Sequence, residues 1–245
     1  MCRTLRHSHV SHPSPHDTPL DDAPAGMTSA PRRPDDAPRS DDWRMISEEL
    51  LQGLVHALNN RVAALSAFVE LAKLGDEEAD PVKVLPAEIT QLHRLNGLFG
   101  MLPERRSDFE ALDLRSVLDD AIRLHEHHPR LRSEHVTVAF EGAPAVVRAP
   151  HWALVRALVV LVHSAKLAVR PRLDREGATV RVHGDDTSVS VRVAAAVQPS
   201  ADLTALAERC NGSVAREAGE LVLTMPSVRE LRRRERESGG DPAPG

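Results

Sequence analysis

The segment LLQGLVHALNNRVAALSAFVELAKLG, residues 50–75, carries a single imidazole, His56, with Asn60 one turn further along. Residues four apart on a helix stand one above the other on the same face. An exposed imidazole held on a rigid helix can attack phosphorus in line and become a phosphoacceptor. Arg61 adds a cation able to attract a phosphoryl group or an acidic pocket, and Asn59 adds a second amide. An inert surface histidine satisfies the same spacing, so the helix alone leaves both readings open.

Other groups with chemical potential are spread along the chain. HEHHPRLRSEH supplies His125, His127, His128 and His135. His125 and His128 share a helical face, but no cysteine or fixed carboxylate lies nearby and Pro129 breaks the helix. The expectation there is a solvated helix end. His163 and Ser164 are neighbours that point about 100° apart on a helix, and no Gly-x-Ser-x-Gly turn presents the serine. His7, His9, His12 and His16 lie in a Pro-, Asp- and Arg-rich segment, residues 1–40, expected to be a disordered tail whose histidines are idle. Cys2 and Cys210 form neither a disulfide framework nor a metal set, and they fit a reducing compartment.

These residues must be positioned by helices and short strands. Leu51, Val55, Leu58, Val62, Leu65, Val69 and Ala72 repeat with strict 4-3 spacing, the seam of a coiled coil or bundle. With Val55 at position a, His56 falls at b and Asn60 at f, both off the seam. Order is expected to begin at an N-cap on Asp41 or Asp42, and the helix to break at Gly75. A second run, Leu85, Ile89, Leu92, Leu95, Phe99 and Leu102, has Pro86 near its start and ends at Pro103. Two antiparallel helices with one apolar stripe each cannot bury those stripes alone, so a four-helix bundle made by homodimerisation is expected over residues 41–104. His93, on the second helix, is expected on its exposed side.

Residues 110–228 change texture. A helix from an Asp113 cap, a strand HVTVAFEG, a buried helix PHWALVRALVVLVHSAKLAV, and two strands ATVRVHG and SVSVRVAAA follow in turn. A helix SADLTALAERC and a hairpin SVAREAGELVLTMP complete the series. This order predicts a mixed sheet with helices on one face, an α/β sandwich, and an α+β class for the whole chain. Residues 229–245 are expected to be a polar tail, helical and solvated over RELRRRERE.

The 245 residues suffice for one large domain or two small ones. Apolar residues make up 41% but aromatics only 2%, so Ala, Val and Leu must build the core. A net charge of −5 gives no basic field for nucleic acid. The longest apolar run, WALVRALVVLV, is interrupted by Arg156, and there is no apolar signal-peptide region. No membrane span is therefore expected, and the location is expected to be cytoplasmic.

With both halves placed, residues 43–227 resemble the core of a two-component sensor histidine kinase, a dimerisation and phosphoacceptor hairpin followed by a GHKL (Bergerat-type) ATPase domain. The resemblance rests on His56-Ala57-Leu58-Asn59-Asn60-Arg61, set against the family's His-Glu-x-Asn-Asn-Pro. It implies that His56 is phosphorylated and that Asn60 occupies the position that orients water for dephosphorylating a partner. Ala57 stands where the family has an acid that draws the proton from the histidine, and Arg61 where it has proline. In the second half, Ser164 in HSAK occupies the place of the N-box asparagine that binds magnesium and phosphate, with Val160 where a further asparagine is often found. The adenine-binding Asp-x-Gly-x-Gly is replaced by AAAVQPSA, and no glycine occurs between Asp185 and Asn211.

A phosphoacceptor-like hairpin joined to a degenerate ATPase domain resembles the dimeric histidine phosphotransferases that derive from kinases, the ChpT-like type. The resemblance implies a phosphorelay role, with receiver domains of response regulators as partners and His56 carrying the phosphoryl group between their aspartates. Asn59, Asn60 and Arg61 would contact the receiver or the phosphoryl group, and Ser164 would be a vestigial N-box. The chain itself would bind no nucleotide, metal or other cofactor, Mg²⁺ residing on the receiver. A catalytically inert scaffold, a receiver phosphatase using Asn60, and a divergent ATP-dependent kinase are the competing readings.

Overall fold

A computed structural model describes residues 43–74, 81–104, 108–143, 145–169 and 177–238. The expectations for residues 1–40, for a cap at Asp41 or Asp42, for a break at Gly75 and for the chain after residue 238 lie outside these. Two long helices open the described chain, α1 (Trp43–Lys73) and α2 (Pro81–Phe99). The second begins earlier than its apolar run indicated, which leaves Pro86 one turn inside it. Arg61 on α1 reaches across to Glu88 on α2 at 3.2 Å.

A short strand β1 (Glu110–Asp113) leads into α3 (Leu114–His125), whose N-cap is Asp113 as its sequence indicates. The Asp113 carboxylate accepts from the Arg115 amide at 3.1 Å, satisfying one orphan donor of the first turn. Then come β2 (Val136–Gly142), β3 (Val146–Ala149), α4 (His151–Val169), β4 (Ala178–Gly184) and β5 (Ser188–Ala194). The described chain closes with α5 (Ala201–Arg209), β6 (Ser213–Glu217), β7 (Glu220–Pro226) and α6 (Val228–Ser238). β1 and β3 form a small antiparallel pair of their own. The main sheet has the order β2-β4-β5-β7-β6, with β2 and β4 parallel and every other pair antiparallel. The class is α+β, with a helical hairpin ahead of a mixed five-stranded sheet.

Alternation sets which face of the sheet is dry. Ala178, Val180 and Val182 on β4, with Val189, Val191 and Val193 on β5, are buried, while Thr179, Arg181 and His183 between them are exposed. Asp185 closes the β4–β5 hairpin, its carboxylate accepting from the amides of Thr187 and Ser188 at 2.7 Å each. Against the dry face lies α4, a helix buried nearly all round, from Trp152 through Lys166. It is the one helix among the described residues long and apolar enough to cross a membrane, and 89% of that window is buried inside the protein. A helix apolar on every side is what a central position between two layers demands.

The second layer over α4 is the base of the hairpin. Ile46, Leu50 and Leu54, at four-residue spacing, are fully buried in the same core cluster as the sheet valines, with Trp43, Ala57 and Leu58 packed at its edge. This row is not the 4-3 seam. The seam residues Leu51, Val55, Val62 and Val69 are between 42 and 51% exposed, so α1 carries two apolar faces, one buried within the chain and one uncovered.

Arg156, which interrupts the apolar run of α4, fastens both ends of the hairpin. Its guanidinium lies 4.8 Å from the Trp43 ring and 4.9 Å from the Trp152 ring. It also donates to the carbonyl of Leu102, just past α2, at 2.8 Å.

Candidate functional site

His56 lies on the exposed side of α1, two residues beyond the last fully buried position, Leu54. Asn60, also exposed, places its side-chain Nδ2 3.3 Å from His56 Nε2. With the amide donating, Nε2 holds the lone pair and Nδ1 carries the proton. The nitrogen that meets the amide is then the nucleophilic one. When an electrophile approaches, the same N–H group is at hand for an oxygen of that electrophile. Geometry therefore joins the two residues that helical spacing put together.

The other residues singled out by sequence are placed differently. Arg61 is half-buried and paired with Glu88, so its guanidinium is directed to α2. Asn59 is exposed beside Asn60. Ala57 is half-buried and packs against the α/β core, a direction in which a carboxylate would be stripped of water. Ser164 is buried in α4 and donates back to the Val160 carbonyl at 3.0 Å. His93 is exposed on α2.

The base of α1 meets the end of α3 without intervening side chains. Gly53 sits so close to His127 that a β-carbon would lie 1.6 Å from the His127 carbonyl oxygen. One turn earlier, Glu49 Oε2 lies 2.8 Å from His128 Nε2, and Glu49 Oε1 lies 3.5 Å from Arg130. His56 thus stands directly beyond the joint between the hairpin and the α/β layers.

The expectation of a solvated helix end at His125 and His128 is corrected. Both are buried, at 0 and 2% exposure, and stack with ring centroids 5.1 Å apart and planes 9° from parallel. His163 completes the group, its Nδ1 lying 3.2 Å from His125 Nε2. Burial pushes His125 down to about 2, helped by the ammonium of Lys166 and the other two imidazoles, so this ring is neutral near neutral pH. Burial also lowers His128, against the pull of Glu49. The signal for His125 was present in the sequence. It falls four and seven residues after Ala121 and Leu118, on the inner row of α3. Its meeting with His163, 38 positions away, is tertiary.

No protein-family model and no curated protein matches the chain. Among solved structures it is similar to histidine kinase AdeS of Acinetobacter baumannii, at 13% identity over 70% of this chain and 96% of that one, TM-score 0.37. It is also similar to the ATP binding domain of PrrB from Mycobacterium tuberculosis, at 13% identity over 49% of this chain and 98% of that one, TM-score 0.38. A third is histidine kinase ThkA in complex with the response regulator protein TrrA, at 15% identity over 78% and 65% of the two chains, TM-score 0.37.

Proposed function

We propose that this chain is a histidine phosphotransfer protein of a two-component phosphorelay, working as a cytoplasmic homodimer and without ATP. The observation that carries the reading is the exposed His56 imidazole on a long rigid helix, with its Nε2 held 3.3 Å from the Asn60 amide. A receiver aspartyl phosphate brought in line with Nε2 loses its P–O bond as the P–N bond forms, and the aspartate leaves as carboxylate. Reversal onto a second receiver returns His56 to its unphosphorylated form. The receiver's own Mg²⁺ supplies charge to the phosphoryl oxygens, and Asn60 offers one N–H in addition.

Two further features support this assignment. Ser164, at the N-box position, is turned back onto its own helix and buried, which suits a domain that has left nucleotide chemistry. The uncovered stripe of Leu51, Val55, Val62 and Val69, continued by Leu85 and Ile89 on α2, suits a bundle completed by a second copy.

The second reading, an inert scaffold that binds receivers or kinases, is favoured by Ala57. His56 has no carboxylate at the next position to take its proton, an aid worth about 10²–10⁴ in rate. The test uses receiver domains carrying labelled aspartyl phosphate, mixed without ATP with wild-type protein and with His56→Ala. Acid-labile, base-stable label appearing on the wild type alone supports transfer. Label released as free phosphate, sensitive to Asn60→Ala but not to His56→Ala, supports a phosphatase. Binding without any loss of label from the receivers makes the chain a scaffold.

A further inference from the structure

We infer that His125, His128 and His163, together with Glu49, form a binding site for a divalent transition-metal ion of the zinc class, which clasps the hairpin to the α/β layers. The three imidazoles each offer a nitrogen, and the three nitrogens lie within 4.8 Å of one another. They come from two elements, the end of α3 with the turn after it and the middle of α4. All three are buried, with His163 at 6% exposure. Three imidazoles and one carboxylate are a donor set that tetrahedral Zn²⁺ accepts. Bonds of about 2.0–2.1 Å place such donors roughly 3.4 Å apart. His125 Nε2 and His163 Nδ1 are already 3.2 Å apart, the third imidazole offers a nitrogen within 4.8 Å of them, and the Glu49 carboxylate, which meets His128 alone, must close in with that ring to complete the set.

The polar accounting of the cluster points the same way. His125 Nδ1 is buried without a hydrogen-bond partner, and so is His128 Nε2. The latter faces Glu49 Oε2 at 2.8 Å but is not aligned for a hydrogen bond. A metal ion shared at His128 Nε2 removes one of these two unsatisfied nitrogens, while His125, which meets His163 through Nε2, ligates with that atom and keeps Nδ1 for its proton. Lys166 opposes the ion. Its buried ammonium lies near His125 and donates to the Leu131 carbonyl at 3.3 Å. The Glu49 carboxylate, 29% exposed at the rim, supplies the compensating charge and is the one ligand contributed by α1. Metal binding would therefore tie α1 to α3 and α4 one turn before Gly53, at the joint beneath His56.

The experiment uses the full chain with His7, His9, His12 and His16 replaced by Gln, so that residues 1–40 add no imidazole. The protein is stripped with chelator and titrated with Co²⁺, then with Zn²⁺. The expected result is one equivalent of Co²⁺ with the intense visible bands of tetrahedral coordination, displaced by Zn²⁺, and a melting temperature that rises with free Zn²⁺. His163→Gln abolishes the bands. Glu49→Gln lowers affinity by at least the ten- to hundredfold that loss of an outer partner costs. Absence of one-to-one binding, or bands indifferent to both substitutions, overturns the site. Should His163→Gln fail to fold, Glu49→Gln and the metal dependence of the parent's melting temperature decide alone.

Discussion

Gly53 on α1 and the His127 carbonyl after α3 meet backbone against backbone, with only 1.6 Å left for any β-carbon at Gly53. In the middle of a helix glycine ordinarily costs up to about 1 kcal/mol relative to alanine, so its presence here marks a close approach. Gly53→Ala gains that helix propensity and must still push α1 off the carbonyl. A net destabilisation of about 1–3 kcal/mol is expected from the overpacking. Urea unfolding followed by circular dichroism measures it, and unchanged or increased stability would show that the joint yields freely.

Arg156 and Trp43 provide the second test. The guanidinium lies over two indole rings and donates to the Leu102 carbonyl, so Arg156→Ala should cost roughly 2–4 kcal/mol. Arg156→Lys should recover less than half of this, because an ammonium cannot contact both rings and reach the carbonyl together. Full recovery by lysine would reduce the clamp to a simple charge.

The uncovered stripe on α1 sets the oligomeric expectation. Val55→Glu with Val62→Glu places carboxylates in the middle of the proposed seam while leaving Ile46, Leu50 and Leu54 untouched. Sedimentation should show a two-chain species for the parent and a single chain, equally helical, for the variant. A variant that still sediments as two chains would move the dimer interface elsewhere.

Cys210 is buried, and its thiol is pushed up to about 12 by loss of solvent. In a Cys2→Ser background the remaining thiol should resist a thiol-reactive chromophore at pH 8 and react fully in denaturant. Labelling in the native state at the denatured rate would contradict the packing of α5 against β6.

Asp185 titrates unusually low for a surface carboxylate, at about 2, held down by the Thr187 hydroxyl and by the amides of Ser188 and Thr187. A carboxylate lowered on folding binds fewer protons in the native state than in the unfolded one. Its stabilisation is therefore complete above the ordinary aspartate value of 3.8 and fades as pH falls towards 2. Asp185→Asn should remove that part of the acid sensitivity, so that the two stability–pH curves converge as pH drops. Parallel curves across this range would exclude the turn as a contributor.

Much of this architecture was legible because its periods are clean. Valines alternating on β4 and β5 announce a one-sided sheet, and the helical spacing of His56 and Asn60 brings the two side chains together on α1. β1 and β3 escaped because four-residue strands carry too little pattern, and they find each other only through the tertiary fold. The Ile46, Leu50 and Leu54 row escaped for another reason. A heptad template accounts for one stripe, and nothing local reveals that the same helix serves a second partner. Arg156 showed itself as an interruption, but its purpose needed two indoles and a carbonyl distant in sequence.

The buried base of α1 makes the helix a lever. Its 31 residues extend roughly 46 Å, and among the described residues those that pack it into the α/β core, from Trp43 to Leu58, lie in its first half. Lys73 stands roughly 30 Å beyond Gly53, whereas His56 is only about 4–5 Å beyond it. A tilt of about 10° about that fulcrum sweeps the far tip through roughly 5 Å and carries His56 less than about 1 Å. The far end can swing while the His56 imidazole keeps its place and direction.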